Sequence, residues 1–255
     1  MEELGPGDCV SLRARTVPIA SVTPEQRTRL WTLFAEAYED VNEAVFLADF
    51  ASKDHVILLD DGDDGEDGDD GELQGFSTLR EVEVELDGRV HLGMFSGDTV
   101  VAQQYWGDRT LGRAFLSHLF WRRLRALHRP YWWILISKGY KTYLIMANNF
   151  PVHWPRRESA TPPEVLPVMR AFGGALFGAS YHADSGIVRW DEPHGRLRPG
   201  VADITPGLAE TVPRVGFFEA QNPGWSRGDE LFCLARMDMS VPFAYAAKFW
   251  RGARR

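Results

Sequence analysis

The stretch "AQQYWGDRTLGRAFLSHLFWRRLRAL" (Ala102–Leu127) starts where an apolar strand ends and continues as a basic amphipathic helix. Two glycines, Gly107 and Gly112, are read as sitting just before the helix. Glycine lets backbone N–H groups come close to an anion, and the first turn of a helix adds its positive end. A strand–glycine–helix junction therefore points to phosphate or diphosphate, although many such turns need glycine only for geometry.

Two phosphate signatures fail here. The stretch lacks the G-x-G-x-x-G run of dinucleotide-binding folds. Gly107 and Gly112 have the spacing of a P-loop, but Arg113 replaces its lysine and Ala114 its magnesium-holding hydroxyl. The elements before the junction argue the same way. "TPEQ" gives a helix start with Thr23 as cap, Pro24 at the first position and Gln26 closing a capping box. Leu30, Leu33, Phe34, Ala37, Tyr38 and Val41 follow at helical spacing, and Glu43 to Phe50 predicts a second short helix. A strand is expected in Val10 to Ile19, ahead of both. "HVILLDD", "ELQGFSTLREVEVEL" and "RVHLGMFSGDTVV" read as three antiparallel strands, the last two joined at Asp87-Gly88. In the helix after the junction, Leu116, Phe120, Leu124 and Leu127 share one face, with Phe115 and Leu119 beside them. "YWWILIS" is a strand parallel to the one before the helix, and "GYKTYLIMANNF" is helical.

In this context "RTLGRA" (Arg109–Ala114) resembles the acyl-CoA diphosphate loop of the GNAT superfamily of N-acetyltransferases, whose pattern is Q/R-x-x-G-x-G/A. "QYWGDR" (Gln104–Arg109) matches the first glycine of that pattern in a second register. The order of elements over Val10 to Phe150 also follows the family. The resemblance implies a mixed α/β fold, with a mainly antiparallel central sheet flanked by helices and a C-terminal β-rich extension. Residues 1–150 would form the acyl-thioester-binding core, and residues 151–255 would complete the same domain. It implies an acyl group moved from coenzyme A, or from carrier-bound phosphopantetheine, to an amine, without a metal. Gln104, Gly107, Arg109, Leu111, Gly112, Arg113 and Ala114 would hold the donor in one register or the other. The thioester would lie where the strand ending at Val101 and the strand Tyr131 to Ser137 splay apart.

Such a site needs a base for the amine and a proton for the thiolate. Asp98 is the base candidate, because a carboxylate in an apolar strand is costly unless paired or solvated; the alternative is a bulge residue beside Gly97. Strand alternation puts Ser96 on the same face as Asp98. Tyr143 is the acid candidate and Tyr140 its competitor, against the reading of a core aromatic. Lys138 and Lys141 read as phosphate ligands or surface charges. Arg122, Arg125 and Arg129 share a helix face that is either solvated or a dock for an acidic acyl carrier protein. "YWW" and "NNFPVHWPRR" either line a wide pocket or belong to the core. Within the last hundred residues "PEVLPVMRAFGGALFG" reads as helix, and "GIVRW", "RVGFFEA" and "ELFCLARM" read as strands.

Composition narrows the remaining classes. The formal charge is −8, but "DDGDDGEDGDDGE" (Asp60–Glu72) holds nine acidic residues, which leaves the rest near neutral and gives no sign of nucleic acid. No register of that stretch is an EF-hand loop, and it reads as a solvated, mobile hairpin tip. The two cysteines, Cys9 and Cys233, suggest neither disulfide nor zinc. His118 and His153 lack metal-ligand spacing, and no G-x-S-x-G elbow is present. No membrane-spanning run and no signal peptide is seen, so the cytoplasm is the expected location. A homodimer stays open. So do two other uses of the scaffold, a non-catalytic acyl-CoA sensor and a thioester decarboxylase.

Overall fold

The computed structural model describes residues 12–62, 71–191 and 194–238. Its elements in chain order are β1 (Arg13–Pro18), α1 (Pro24–Ala37), β2 (Tyr38–Glu39), α2 (Glu43–Ala51), β3 (His55–Asp60), β4 (Leu73–Leu86), β5 (Arg89–Val101), α3 (Thr110–Arg125), β6 (Tyr131–Ser137), α4 (Tyr140–Asn149), β7 (His153–Trp154), α5 (Leu166–Phe177), β8 (Tyr181–His182), β9 (Ile187–Val188), β10 (Arg196–Leu197), α6 (Pro206–Thr211), α7 (Pro213–Gln221) and β11 (Glu230–Arg236).

The main sheet runs β1-β3-β4-β5-β6-β11-β9-β8, with β7 beside β11. Its pairs are antiparallel except β5 with β6. That exception follows from the α3 crossover, which brings the chain back in the same direction. β11, from the last hundred residues, extends the same sheet beyond β6.

Local chemistry sets the early elements. Thr23 Oγ1 accepts from the Gln26 amide at 3.2 Å, and the Thr23 amide donates to Gln26 Oε1 at 3.1 Å, which starts α1. Leu30, Leu33 and Phe34 of α1 are buried, each stabilising by about 1.5–3 kcal/mol. Asp87 and Gly88 both have positive φ, the twist that a two-residue hairpin needs.

Helices cover both faces. On one, α3, α4 and α7 pack Leu119, Tyr143, Met146 and Phe218 against Met94, Trp133, Leu135 and Cys233. On the other, α1 and α2 pack on Val56, Leu58, Phe76 and Val100. α5 packs beside them on Phe95, Trp132, Ile134 and Phe232.

Three local expectations change. α3 buries Phe115 and Leu119, with Leu111 and Ala114 alongside, whereas Leu127 is exposed. The stripe facing the sheet is thus one position away from the one with the most leucines. "RVGFFEA" lies in α7, because Pro213 at its start fixes a helical φ and Val215 and Phe218 then face the core. Among the described residues after 150 there are consequently three α-helices and one long strand, the other strands being two residues each. The tip of the acidic stretch lies outside the described residues; Asp61, at its start, accepts from the Glu72 amide and from Gln74 Nε2.

Candidate functional site

The β4–β5 ladder pairs Leu79 with Ser96 and then Ser77 with Thr99. One residue of β4, Thr78, therefore opposes two of β5, Gly97 and Asp98. This is a β-bulge, and a bulged strand bends. The β5–β6 pairing ends at the same place, with Ser96 opposite Leu135. β5 stays on β4 as far as Val101 opposite Gly75, while β6 continues to Ser137. Beyond Ser96 the edge of β5 that faced β6 has lost its partner, and a gap opens between the two strands.

The bulge also decides where side chains point. Ser96 lies on the α3/α4 side, where its Oγ accepts from Trp133 Nε1 at 2.9 Å. Asp98 turns to the α1/α2/α5 side and lines a cavity of about 140 Å³. The two do not share a face as strand alternation predicts, because two successive bulge residues break the two-residue period.

Phe34, Tyr38, Phe46, Phe95, Phe177 and Trp190 supply aromatic walls to this cavity. Lys53 Nζ meets Asp49 Oδ1 at 2.5 Å, and Lys138 Nζ meets Glu230 Oε1 at 3.3 Å. Lys138 also donates to the His194 carbonyl at 2.8 Å, and Trp190 Nε1 donates to Glu230 at 3.0 Å. Lys138 is thus a buried partner in an ion pair, and its reading as a surface charge does not hold. Burial pushes the Asp98 carboxyl up to about 7, with the charges of Asp49 and Glu230 adding to the rise and Lys138 and Lys53 opposing it. Burial, then Asp98 and Glu230, likewise raise the Tyr38 phenol.

At the glycine corner, Gly107 has a φ of +98° and nothing lies within 4 Å of where its Cβ would stand; the space around Gly112 is equally open. The first helical bond of α3 runs from the Arg113 amide to the Arg109 carbonyl. The amides of Leu111 and Gly112 therefore precede the hydrogen-bonded ladder, whereas the Thr110 amide is taken by Asp108 Oδ1 at 2.6 Å. Gln104, Arg109 and Arg113 are exposed, and Ala114 is half-buried. Trp106 Nε1 donates to the Val101 carbonyl, and Lys141 Nζ stands 3.8 Å from the centre of the Trp106 ring. This contact ties the loop after β5 to the first turn of α4.

The chain is similar to N-acetyltransferases. The solved structures it matches include a probable N-acyltransferase from Enterococcus faecalis, with 12% identity, a TM-score of 0.39 and coverage of 56% of this chain and 33% of that one. An acetyltransferase from Trypanosoma brucei matches with 16% identity and a TM-score of 0.36 over 59% of this chain and all of that one. A GNAT family N-acetyltransferase from Escherichia coli, solved with CoA, matches with 15% identity and a TM-score of 0.35 over 62% and 82%. This chain thus spans about a third of the length of the first of them. No protein-family model and no curated protein matches the chain.

The remaining sequence candidates lie away from the cavity. Tyr143 is buried on the α3/α4 side, and its hydroxyl donates to the Pro155 carbonyl at 3.3 Å. Burial raises this phenol well above its ordinary range. Arg122 pairs with Glu81 and Arg129 with Glu83, so two arginines of the proposed carrier dock already face carboxylates of β4. Trp132, Trp133 and Trp154 belong to the core. Among the described residues no group of His, Cys, Asp and Glu could hold a metal ion, and no helix is long and apolar enough to cross a membrane.

Sequence reading missed Tyr38, Lys53, Arg80, Trp190, His194 and Glu230. These residues come from five separate stretches of the chain and carry no common spacing. The one local signal was a lysine or carboxylate in or next to a buried strand end, as at Lys138 and Glu230, where charge is costly unless paired.

Proposed function

We propose that the protein is an N-acyltransferase using an acyl-CoA donor and a small amine acceptor. The observation that carries this reading is the bulge at Gly97 and Asp98, which opens the β5–β6 gap and turns a carboxylate into an aromatic-walled cavity beside it. The donor's diphosphate would rest on the Leu111 and Gly112 amides at the positive end of α3, with Arg109 and Arg113 nearby. The open space at both glycines suits this. A diphosphate also favours coenzyme A over a carrier-bound arm, which has a single phosphodiester.

The thioester then lies in the gap, its carbonyl directed at β5 amides that no longer pair with β6. These donors would stabilise the oxyanion that forms on attack. An acceptor enters as an ammonium ion and gives its proton to Asp98, whose carboxyl titrates near neutrality and so can accept a proton at pH 7. The amine nitrogen bonds to the carbonyl carbon, the carbon–sulfur bond breaks, and the departing thiolate takes, through water in the gap, the second proton that the nitrogen loses as it becomes an amide. Residues after 150 supply Phe177, Trp190, His194 and Glu230 to the acceptor side, which gives the extension its role.

Gly112→Asp tests the donor site. The site has room for the side chain, and an acidic residue in the first turn suits the helix by about 0.3–1 kcal/mol. The fold should therefore survive while CoA affinity in a calorimetric titration falls by about tenfold or more. Unchanged CoA affinity would remove the diphosphate from this corner and the reading with it.

A further inference from the structure

The charges of the acceptor cavity do not cancel locally. Six charged side chains line it: Asp49, Lys53, Arg80, Asp98, Lys138 and Glu230. Four are used up in two pairs. Lys53 holds Asp49 through its side chain and backbone carbonyl and also reaches Ser52 Oγ. Lys138 holds Glu230 and the His194 carbonyl.

Arg80 and Asp98 remain. Neither makes a hydrogen bond or ion pair with any described residue, nor do they pair with each other. They stand on neighbouring strands, Arg80 opposite Phe95 on β4 and Asp98 three residues further along β5. The cavity therefore offers a cation and an anion outside its two ion pairs, on neighbouring strands, the anion within the field of Lys53 and Lys138, with six aromatic side chains also in the lining. Both side chains are half-buried, where a charge without an ion pair is disfavoured, and a ligand carrying both an ammonium group and a carboxylate would pair with each of them. At about 140 Å³ the space is close to the roughly 150 Å³ that takes a benzene-sized molecule.

We propose that the acceptor is a small zwitterion, an apolar amino acid whose ammonium group sits on Asp98, whose carboxylate sits on Arg80 and whose side chain lies against the aromatic wall. This rests on the acyl-transfer reading for its chemistry but not for its binding, and the two fail separately. The guanidinium of Arg80 suits a carboxylate because its planar fork matches the two oxygens. Asp98 then both places the amine and receives its proton.

The test is calorimetric binding to the full chain without donor, comparing L-leucine, L-methionine and L-phenylalanine with their decarboxylated amines and their deaminated acids. At least one amino acid should bind about tenfold tighter than its amine or its acid. Arg80→Gln should bring that amino acid down to the affinity of its amine and leave the amine itself unchanged. Asp98→Asn should erase the advantage over the acid. Arg80→Lys should recover part of the loss, since it restores the charge without the fork. The proposal is overturned if no amino acid binds at millimolar concentration, if the wild-type protein binds amine and amino acid alike, or if Arg80→Gln weakens both equally. Amino-acid binding without acyl transfer would leave this site standing and sink the reaction. Transfer to simple amines without amino-acid binding would do the reverse.

Discussion

Ser96 and Asp98 stand two residues apart on one strand and face opposite sides of the sheet. Ser96 is held by the Trp133 indole under α3 and α4, and Asp98 opens into the cavity under α1, α2 and α5. The residue between them makes this arrangement. Gly97 lies against Thr78, and a Cβ there would stand 2.6 Å from Thr78 Oγ1 and 3.0 Å from Lys53 Cε.

Gly97→Ala therefore tests the bulge. Thr78 is fully buried and its short side chain has nowhere to go, so the substitution should destabilise by about 1–3 kcal/mol in a urea titration. It should also lower turnover by displacing Asp98. A stable, fully active variant would mean that the bulge is not what aims the carboxylate.

The raised carboxyl of Asp98 gives two pH signatures. As a base it works ionised, so kcat/KM should rise through about pH 7; Asp98→Asn should abolish that limb and cost about 10²–10⁴-fold at pH 8. For stability the sign is the opposite of the usual acidic residue. Between an unfolded value of about 3.9 and the folded value of about 7, the native state keeps a proton that the unfolded state has released. Stability from this group is thus lost as pH rises through that window and stays lost above it. Asp98→Asn should melt a few degrees above wild type at pH 8 and no higher at pH 4. Equal melting differences at both pH values would mean that the carboxyl titrates normally.

Lys138 and Glu230 form a pair with side chains 11% and 9% exposed. Lys138→Met should cost about 3–5 kcal/mol, because Glu230 is left charged and buried. Adding Glu230→Gln should recover part of that loss, with a coupling of about 0.5–3 kcal/mol in denaturant melts. Strict additivity would show that the cavity does not depend on this pair.

Tyr143→Phe separates a proton donor from a core ring. The hydroxyl makes one long bond to a carbonyl on the side of the sheet away from Asp98. Its loss should cost at most about 1 kcal/mol of stability. Turnover should fall by far less than the roughly 100-fold that loss of a general acid brings. A drop of that size would restore Tyr143 as the acid.

Much of this molecule was legible as a string. The Thr23 capping box, the Asp87-Gly88 turn, the full length of β5 and β6, and the parallel return through α3 each depend on neighbours in sequence. Local propensity and the two-residue period were enough to find them. Gly107 and Gly112 could be marked as a place where backbone approaches an anion, because that property belongs to glycine itself.

The cavity belongs to the tertiary structure. A bulge is a mismatch between two strands, so neither "FSGDTVV" nor "GFSTLRE" contains it; only their pairing put one residue opposite two and reversed Asp98 relative to Ser96. The charges around Asp98 come from α2, β4, β11 and the ends of β3 and β6, brought together by a sheet that runs from the first strand to the last. Sequence fixes what each residue can do on its own. Whether a carboxylate is buried, paired or left waiting depends on distance through space, and the chain sets that only once it has closed on itself.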